Sequence, residues 1–301
     1  MPLLKATAEL LSNNDLEAGI IEEIIEKDDL FALLPFMGIN GKAYVYDRED
    51  TLATADFLDP NDAVNESAST FTEVVAKLRV LIGDVDVDKF LQQTMSDTND
   101  QRAVQIAQKA KALARKFKQT LAAGNIAVDA KSFDGISKLV SNGQSIVAGV
   151  NGAPLTLSML DELLDAVPNG ADAIFMRSGT IRAYRALLRA AGGNVAADMM
   201  LPNFGRPMLT HNGVPVLRNE FLAGNEDQGT AVGTTCSVYA VRLNETDGLH
   251  GIYGGQNAGI VAEDIGTVQN KDADRLRLKW YVGLALKSTK SLARIKGITN
   301  I

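Results

Sequence analysis

The chain is poor in the residues that carry most protein chemistry. Its 301 residues include one cysteine, Cys236, and two histidines, His211 and His250. A lone cysteine excludes an internal disulfide framework and a multi-thiolate metal site. Two histidines leave no basis for a histidine-rich metal centre. Positive charge is also short: 30 Lys and Arg against 37 Asp and Glu leave a net −7. That disfavours a sequence-reading nucleic-acid binder, which draws affinity from cations that neutralise phosphates. No apolar run approaches the roughly 20 residues that span a bilayer. The start, Met1-Pro2-Leu3-Leu4-Lys5, lacks the basic region and apolar core of a signal peptide. The expectation is a soluble protein of a reducing compartment, with no membrane contact. What is present is ordinary globular material, 46% apolar and 22% charged, enough chain for a sizeable core.

The order of segments carries more. Asn14 and Glu17 form a capping-box-like pair ahead of a stripe of Leu16, Ile20, Ile21, Ile24 and Ile25, with Glu17, Glu22, Glu23 and Glu26 on the wet side. Leu30 to Ile39 is nearly all apolar apart from Pro35, so an N-terminal arm has a face to bury. Gly41 to Tyr46 alternates like a strand, and Phe71 to Val87 reads as its partner in a long hairpin. The stretch between them, Glu49 to Thr70, is polar and acidic, with a turn at Asp59-Pro60-Asn61-Asp62. Structureless loops of that length are rare unless functional or disordered, and a protruding two-stranded hairpin needs another surface for stability.

A long helix is expected from about Asp97 to Ala123, capped by Ser96, Asp97 or Thr98 and stopped by Gly124-Asn125. Its expected apolar positions are Ala103, Ala107, Ala110, Ala114, Phe117 and Leu121. The middle third mixes a helix from Thr156 to Ala166, a buried strand from Ala173 to Met176, a helix capped by Ser178 and ended by Gly192-Gly193, and a strand after the Asn212-Gly213 turn. The last third is β-rich: 235–243, 260–268, 275–286 and 291–298.

Catalytic signatures are missing. Gly254 to Gly259 does not fit GxGxxG, and Gly41-Lys42 lacks the rest of a P-loop. No GxSxG elbow occurs. Ser178-Gly179 after a strand is better explained by a helix cap. Cys236, among Val and Tyr, reads as a small buried residue. His250 reads as a turn residue. The spacing of Asp84, Asp86 and Asp88 begins like an EF-hand, but Lys89 and Met95 stand where Gly and Glu are needed. These three acids remain weak candidates for a cation held at an interface, beside a solvated strand end. No cofactor is indicated, and the expectation is a non-enzyme.

The order of these segments resembles tailed-bacteriophage major capsid proteins of the Hong Kong 97 type. Leu33-Leu34-Pro35-Phe36 through Gly41-Lys42-Ala43-Tyr44 is similar to that family's entry into its extended loop. Ile174-Phe175-Met176-Arg177 with the following helix looks like the strand and helix of its axial domain. Gly213-Val214-Pro215-Val216 matches its G-x-P-V strand. The resemblance implies an α+β fold: an N-terminal arm over 1–36, an extended loop hairpin over 37–80, a peripheral domain with the spine helix over 81–132 and 224–301, and an axial domain over 133–223. It implies a subunit that assembles with itself, as pentamers and hexamers, into the icosahedral head of a double-stranded DNA phage. The implied location is the virion, with assembly in the host cytoplasm. Packaged DNA would be contacted non-specifically, which the chain's acidity suits. No charged helical prodomain precedes the arm, so the expected partners are a separate scaffolding protein and a portal, with room for a decoration protein. Lys42 is the only lysine near the loop base and none lies between Arg48 and Thr72, so the lysine–asparagine cross-link of some family members is not expected at the loop tip. Expected subunit-interface residues are Ile20, Ile24, Lys42, Arg48, Glu49 and Asp50. The alternatives are an encapsulin-type nanocompartment subunit and, remotely, a soluble α/β enzyme.

Overall fold

The computed structural model describes residues 33–59, 62–94, 100–190, 198–200, 207–255 and 258–300. The arm helix with Ile20 and Ile24, and the Gly192-Gly193 stop, lie outside them. In chain order the elements begin with β1 (Phe36–Ile39), β2 (Ala43–Thr51), β3 (Thr70–Lys77), β4 (Arg79–Asp88), α1 (Lys89–Thr94) and α2 (Gln101–Ala123). The middle holds α3 (Ile136–Leu139), β5 (Ser145–Val147), α4 (Leu157–Asp165), β6 (Ala173–Met176), α5 (Ser178–Ala190), β7 (Asp198–Met200), β8 (Pro207–His211) and β9 (Val214–Arg218). The chain closes with β10 (Glu226–Gln228), β11 (Ala231–Val241), β12 (Leu249–Gly254), β13 (Val261–Thr267), β14 (Ala273–Leu286) and β15 (Leu292–Ile298).

Two large sheets organise these elements. In the first, β14 is the central strand. β12 and β13 pair with one flank of it and β4 with the other, so that Leu276 meets both Asp264 and Val85. β1 adds parallel to β12. Alternation along β14 sends Leu276, Leu278, Trp280 and Val282 inward. The second sheet runs β5-β15-β11-β6-β9-β8-β7, with β10 also on β11. It takes strands from both sides of the boundary expected at 223/224. All four residues of β6 are buried because both faces are covered. Ala173 and Phe175 face the cluster under α2, while Ile174 and Met176 face Leu160, Leu163 and Tyr184 of α4 and α5. This is why β6 reads as a continuous apolar run rather than an alternating one.

The expected partner strand 71–87 is two strands. β3 stays with β2 in a separate two-stranded ribbon, and β4 departs to pair with β14 over Arg79–Asp88. The break falls at Leu78, whose amide donates to the Lys42 carbonyl. There the chain crosses β14 so closely that a Cβ on Gly283 would lie 2.8 Å from the Lys77 carbonyl oxygen. Glycine is required at that crossing.

Helix α2 spans about 35 Å at 1.5 Å per residue. Its cap is Asp100, not Ser96, Asp97 or Thr98, which lie outside the described residues. The Asp100 carboxylate accepts from Arg102 N at 2.9 Å and Ala103 N at 3.3 Å, satisfying amides that the helix itself leaves open. The buried stripe follows the expected one at Phe117 and Leu121, which are buried, and at Ala110, which packs beside the core. It departs in the first turns, where Ala103 and Ala107 are exposed and Ile106 and Leu113 face inward instead. Large side chains win the core-facing positions because stabilisation scales with apolar area removed from water. Gly124 ends the helix. A Cβ there would sit 2.3 Å from the Phe133 carbonyl oxygen, so only glycine allows the chain to fold back.

Asp100→Ala is expected to cost about 1 kcal/mol. The hydrogen bond from Gln92 Nε2, then those from Ala103 N and Arg102 N, hold the Asp100 carboxyl below its usual range. A depressed folded-state pKa means that the cap's stabilisation is present above the unfolded carboxyl pKa and is lost as pH falls through the folded one. Urea midpoints at pH 7 and pH 3 check this. The gap between wild type and Asp100→Ala should narrow at pH 3, whereas Asp100→Asn should track wild type at pH 7.

Helix α4 starts at the expected cap, with Thr156 Oγ1 accepting from Met159 N at 3.3 Å. The start of α5 differs. Ser178 is its first residue, and its amide donates to Glu220 Oε1 at 3.2 Å, so the capping acceptor comes from a distant turn. The Asn212-Gly213 turn forms with φ of 48° and 84°, both left-handed, as a two-residue hairpin requires.

Candidate assembly surfaces

The β2–β3 ribbon is pinned at one end and free at the other. At the pinned end, Tyr46 and Arg48 stand two residues apart on the same face of β2. The Tyr46 hydroxyl donates to the Leu286 carbonyl at 2.6 Å. Arg48 donates through Nη2 to the same oxygen at 2.7 Å and through Nε to the Lys287 carbonyl at 2.8 Å. Pairing with β4 ends at Val282–Arg79, and beyond that point these side chains bond to the end of β14. Burial pushes the Tyr46 phenol up. The neighbouring Tyr44 ring lies 5.5 Å from the Lys287 ammonium and meets the His250 ring edge-on at 6.1 Å. His250 is therefore a fully buried β12 residue rather than a turn residue, and burial lowers its pKa.

At the free end, residues 52–59 and 62–69 form no helix or strand. Side chains zip the stem: Thr51 and Thr70 hydroxyls lie 2.6 Å apart, Ser69 Oγ accepts from Ala53 N, and Ser67 Oγ accepts from Thr54 N. Leu52, Phe57, Leu58, Val64 and Phe71 are exposed, Phe57 completely. Between Glu49 and Thr70 there are six acids and no Lys or Arg. Burial of each large apolar side chain would stabilise by about 1.5–3 kcal/mol. Five large apolar side chains exposed within some 20 residues, interspersed with acids alone, give this segment a surface that a partner could cover.

The expected interface residues separate here. Lys42 is exposed at the ribbon base. Arg48 is taken up by carbonyls of its own chain. Glu49 and Asp50 remain exposed and line a cleft of about 870 Å³ that Lys287 and Lys290 also line. The paired use of Tyr46 and Arg48 was not anticipated; their i, i+2 placement on a strand was the available signal.

Asp84, Asp86 and Asp88 do not converge. Arg277 grips Asp84 in a two-pronged pair at 2.8 and 2.9 Å, and Arg275 grips Asp86 at 2.6 and 2.7 Å. These hydrogen bonds hold both carboxyls below their usual range. Asp88 accepts from Phe90 N at 2.8 Å and caps α1. With Lys279–Glu263 at 2.5 Å, the outward face of the first sheet is a self-neutralised ladder rather than a cation site. Among the described residues no group of three or more His, Cys, Asp or Glu is placed to hold a metal ion.

A row of side chains joins His211 to Asp161 and Tyr184. His211 Nε2 lies 2.9 Å from Asp161 Oδ1, and Nδ1 lies 3.0 Å from the Tyr184 hydroxyl, which donates to the Thr210 carbonyl. Asn212 Nδ2 also donates to Asp161. The row ties the β8–β9 turn to both α4 and α5. Cys236 is buried 3.3 Å from Thr180 Oγ1, and burial pushes its thiol up, away from nucleophilic reactivity.

No family model matches the chain, and no curated protein matches it in sequence. Solved structures do. The holo-SrpI encapsulin complex of Synechococcus elongatus PCC 7942 matches with a TM-score of 0.74 at 20% identity, over 99% of this chain and 97% of that one. The capsid of cyanophage A-1(L) matches at 0.66 and 14% identity, over 95% and 97%. The capsid of an empty GTA particle matches at 0.65 and 12%, over 93% and 94%. The fold is therefore the Hong Kong 97-type capsid fold, across nearly the whole chain.

Proposed function

We propose that the chain is a structural shell subunit, assembling through pentamers and hexamers into the icosahedral head of a double-stranded DNA tailed phage. The observation that carries this is the pinned ribbon. Its base is fixed to β14, while its acidic, apolar tip meets water in a single copy and would be covered in a closed array. The full-length likeness to capsid chains supports the same reading. Among the described residues, Cys236 and His250 are buried and His211 is held between Asp161 and Tyr184, which suits a structural role. In this reading 81–132 and 224–301 form the peripheral domain, 133–223 the axial domain, and 1–36 the arm. Partners are a separate scaffolding protein, a portal, non-specifically held DNA and, where present, a decoration protein. The location is the virion, assembled in the host cytoplasm.

The likeness to the encapsulin complex, at a TM-score of 0.74, favours one second reading, a nanocompartment subunit. Light scattering and grid imaging of the purified protein test the shared premise, and analysis of particle contents separates the two. Nuclease-protected DNA supports the phage head. A protein cargo without DNA supports the nanocompartment. A stable monomer across concentration and salt, even with scaffold supplied, overturns both.

A further inference from the structure

The two histidines of the chain are treated differently by the fold. Both ring nitrogens of His211 have partners. His250 is fully buried, and its Nε2 has no hydrogen-bond partner. Its Nδ1 lies 3.4 Å from the Gly248 carbonyl oxygen, a long bond, and that oxygen also accepts the Lys287 amide at 3.3 Å. A carbonyl can only accept, so the proton of the neutral ring belongs on Nδ1 and Nε2 is bare. Buried polar atoms are normally paired, and an exception calls for a reason.

The place of the ring in the fold suggests one. His250 pairs across β12 and β14 with Ala285, next to the Leu286 carbonyl that Tyr46 and Arg48 hold. From the ribbon side, Tyr44 of β2 meets the His250 ring edge-on at 6.1 Å. The buried imidazole is thus part of the surface on which the ribbon base sits. A proton added at Nε2 would create a donor without an acceptor and a charge shut off from water, both unfavourable. Three titratable or charged groups face the ring: Tyr44 from β2, Lys287 at the end of β14 and Glu245 ahead of β12. Burial disfavours the charged ring most, the Gly248 carbonyl opposes that, Lys287 adds to it and Glu245 again opposes. The Tyr44 face offers no relief, because the Lys287 ammonium already lies 5.5 Å from its centroid.

We propose that His250 makes the seat of the ribbon sensitive to acid. The neutral ring packs against Tyr44 and completes the seat. The protonated ring must reach water, and the base of the ribbon loosens from β14. The sign follows from linkage: the loosened state binds the proton more readily, so the seat is firm above the ordinary histidine range and weakens as pH falls below it.

Hydrogen exchange on the purified full-length protein, kept unassembled, tests this at pH 7.5 and pH 5. Protection factors, which remove the intrinsic pH dependence of exchange, should fall at least tenfold for amides 43–49 at the lower pH, because an unseated two-stranded ribbon is barely stable. Those of β11 and β15 should hold. In His250→Gln, with circular dichroism to confirm an intact fold, the ribbon should keep one protection at both pH values. Nitrogen NMR of the two histidine rings gives a second reading. The His250 ring should be neutral with its proton on Nδ1 at pH 7.5, and should become doubly protonated in step with the loss of ribbon protection. Should His250→Gln not fold, His211→Gln assigns the remaining signal to His250, and that titration decides the case. Equal ribbon protection at both pH values would overturn the proposal. So would a loss that persists in His250→Gln, a loss shared by β11 and β15, or a His250 ring that titrates while the ribbon stays protected. None of these results depends on a shell closing, so failure here is distinct from failure of the proposed function.

Discussion

Tyr46→Phe combined with Arg48→Ala is expected to cut the yield of closed particles by tenfold or more while leaving a folded subunit. The pair supplies three hydrogen bonds to the Leu286 and Lys287 carbonyls. Hydrogen bonds that involve a charged group contribute about 1.5–3 kcal/mol each, neutral ones about 1. A two-stranded ribbon has little stability of its own, so these bonds set the direction in which it leaves the body. In a shell the same contact repeats at every subunit, and a small loss per contact multiplies over the array. The body itself is held by two sheets and α2, so circular dichroism should change little. Arg48→Lys should not rescue assembly, because an ammonium cannot span two carbonyls as a planar guanidinium does. Sedimentation velocity and imaging read the outcome. Particles at normal yield would show that the ribbon is oriented by its neighbours rather than by its base.

Phe117→Ala should produce the largest loss of stability of any single change to α2, about 3–5 kcal/mol. The side chain is 1% exposed and its ring lies 4.8 Å from Trp280, 5.6 Å from Phe133 and 6.0 Å from Phe36 between centroids. It joins α2, the β1 entry and the first sheet, so truncation leaves a cavity bounded by elements that cannot all close on it. The loss is a large part of the roughly 5–15 kcal/mol that holds a typical domain together. Denaturant midpoints should fall sharply and soluble yield with them. Ala103→Ser is the counterpart: Ala103 is exposed, so the change should stay within about 0.5 kcal/mol. A large cost at Ala103 would place the first turns of the buried stripe where alanine spacing had suggested them, and a small cost at Phe117 would remove that residue from the core.

The exposure of Ala103 and Ala107 shows where local pattern stops being informative. Alanines spaced by threes and fours satisfy helical periodicity as well as Ile106 and Leu113 do. The choice between stripes depends on what the helix packs against, and Leu276, Leu278 and Trp280 lie well over 150 residues further along the chain. The cap moved for a related reason. Several acceptors sit ahead of α2, and the side-chain bond from Gln92 Nε2 to Asp100 at 2.8 Å selects one of them. Asp84 and Asp86 on β4 read as members of an acidic group because their arginine partners are 193 and 189 residues away. Only the pairing of β4 with β14 brings the two sets face to face.

The sequence by itself determined the elements whose cause is local. These are the strand alternation of β14, the continuous apolar run of β6, the Thr156 cap, the left-handed Asn212-Gly213 turn and the glycine that ends α2. It also determined their order, because period, caps and turn residues act within a few positions of each other, and that order carries the resemblance that implied the fold class. The tertiary structure alone decided the break at Leu78, the inward turn of Ile106 and Leu113 in place of Ala103 and Ala107, and the use of Tyr46 and Arg48 to pin the ribbon. Each of these depends on a contact between segments far apart in the chain, such as the 238 residues between Arg48 and Leu286. Such a contact leaves no periodic trace in either segment, so it becomes visible only once the sheets have brought the two together.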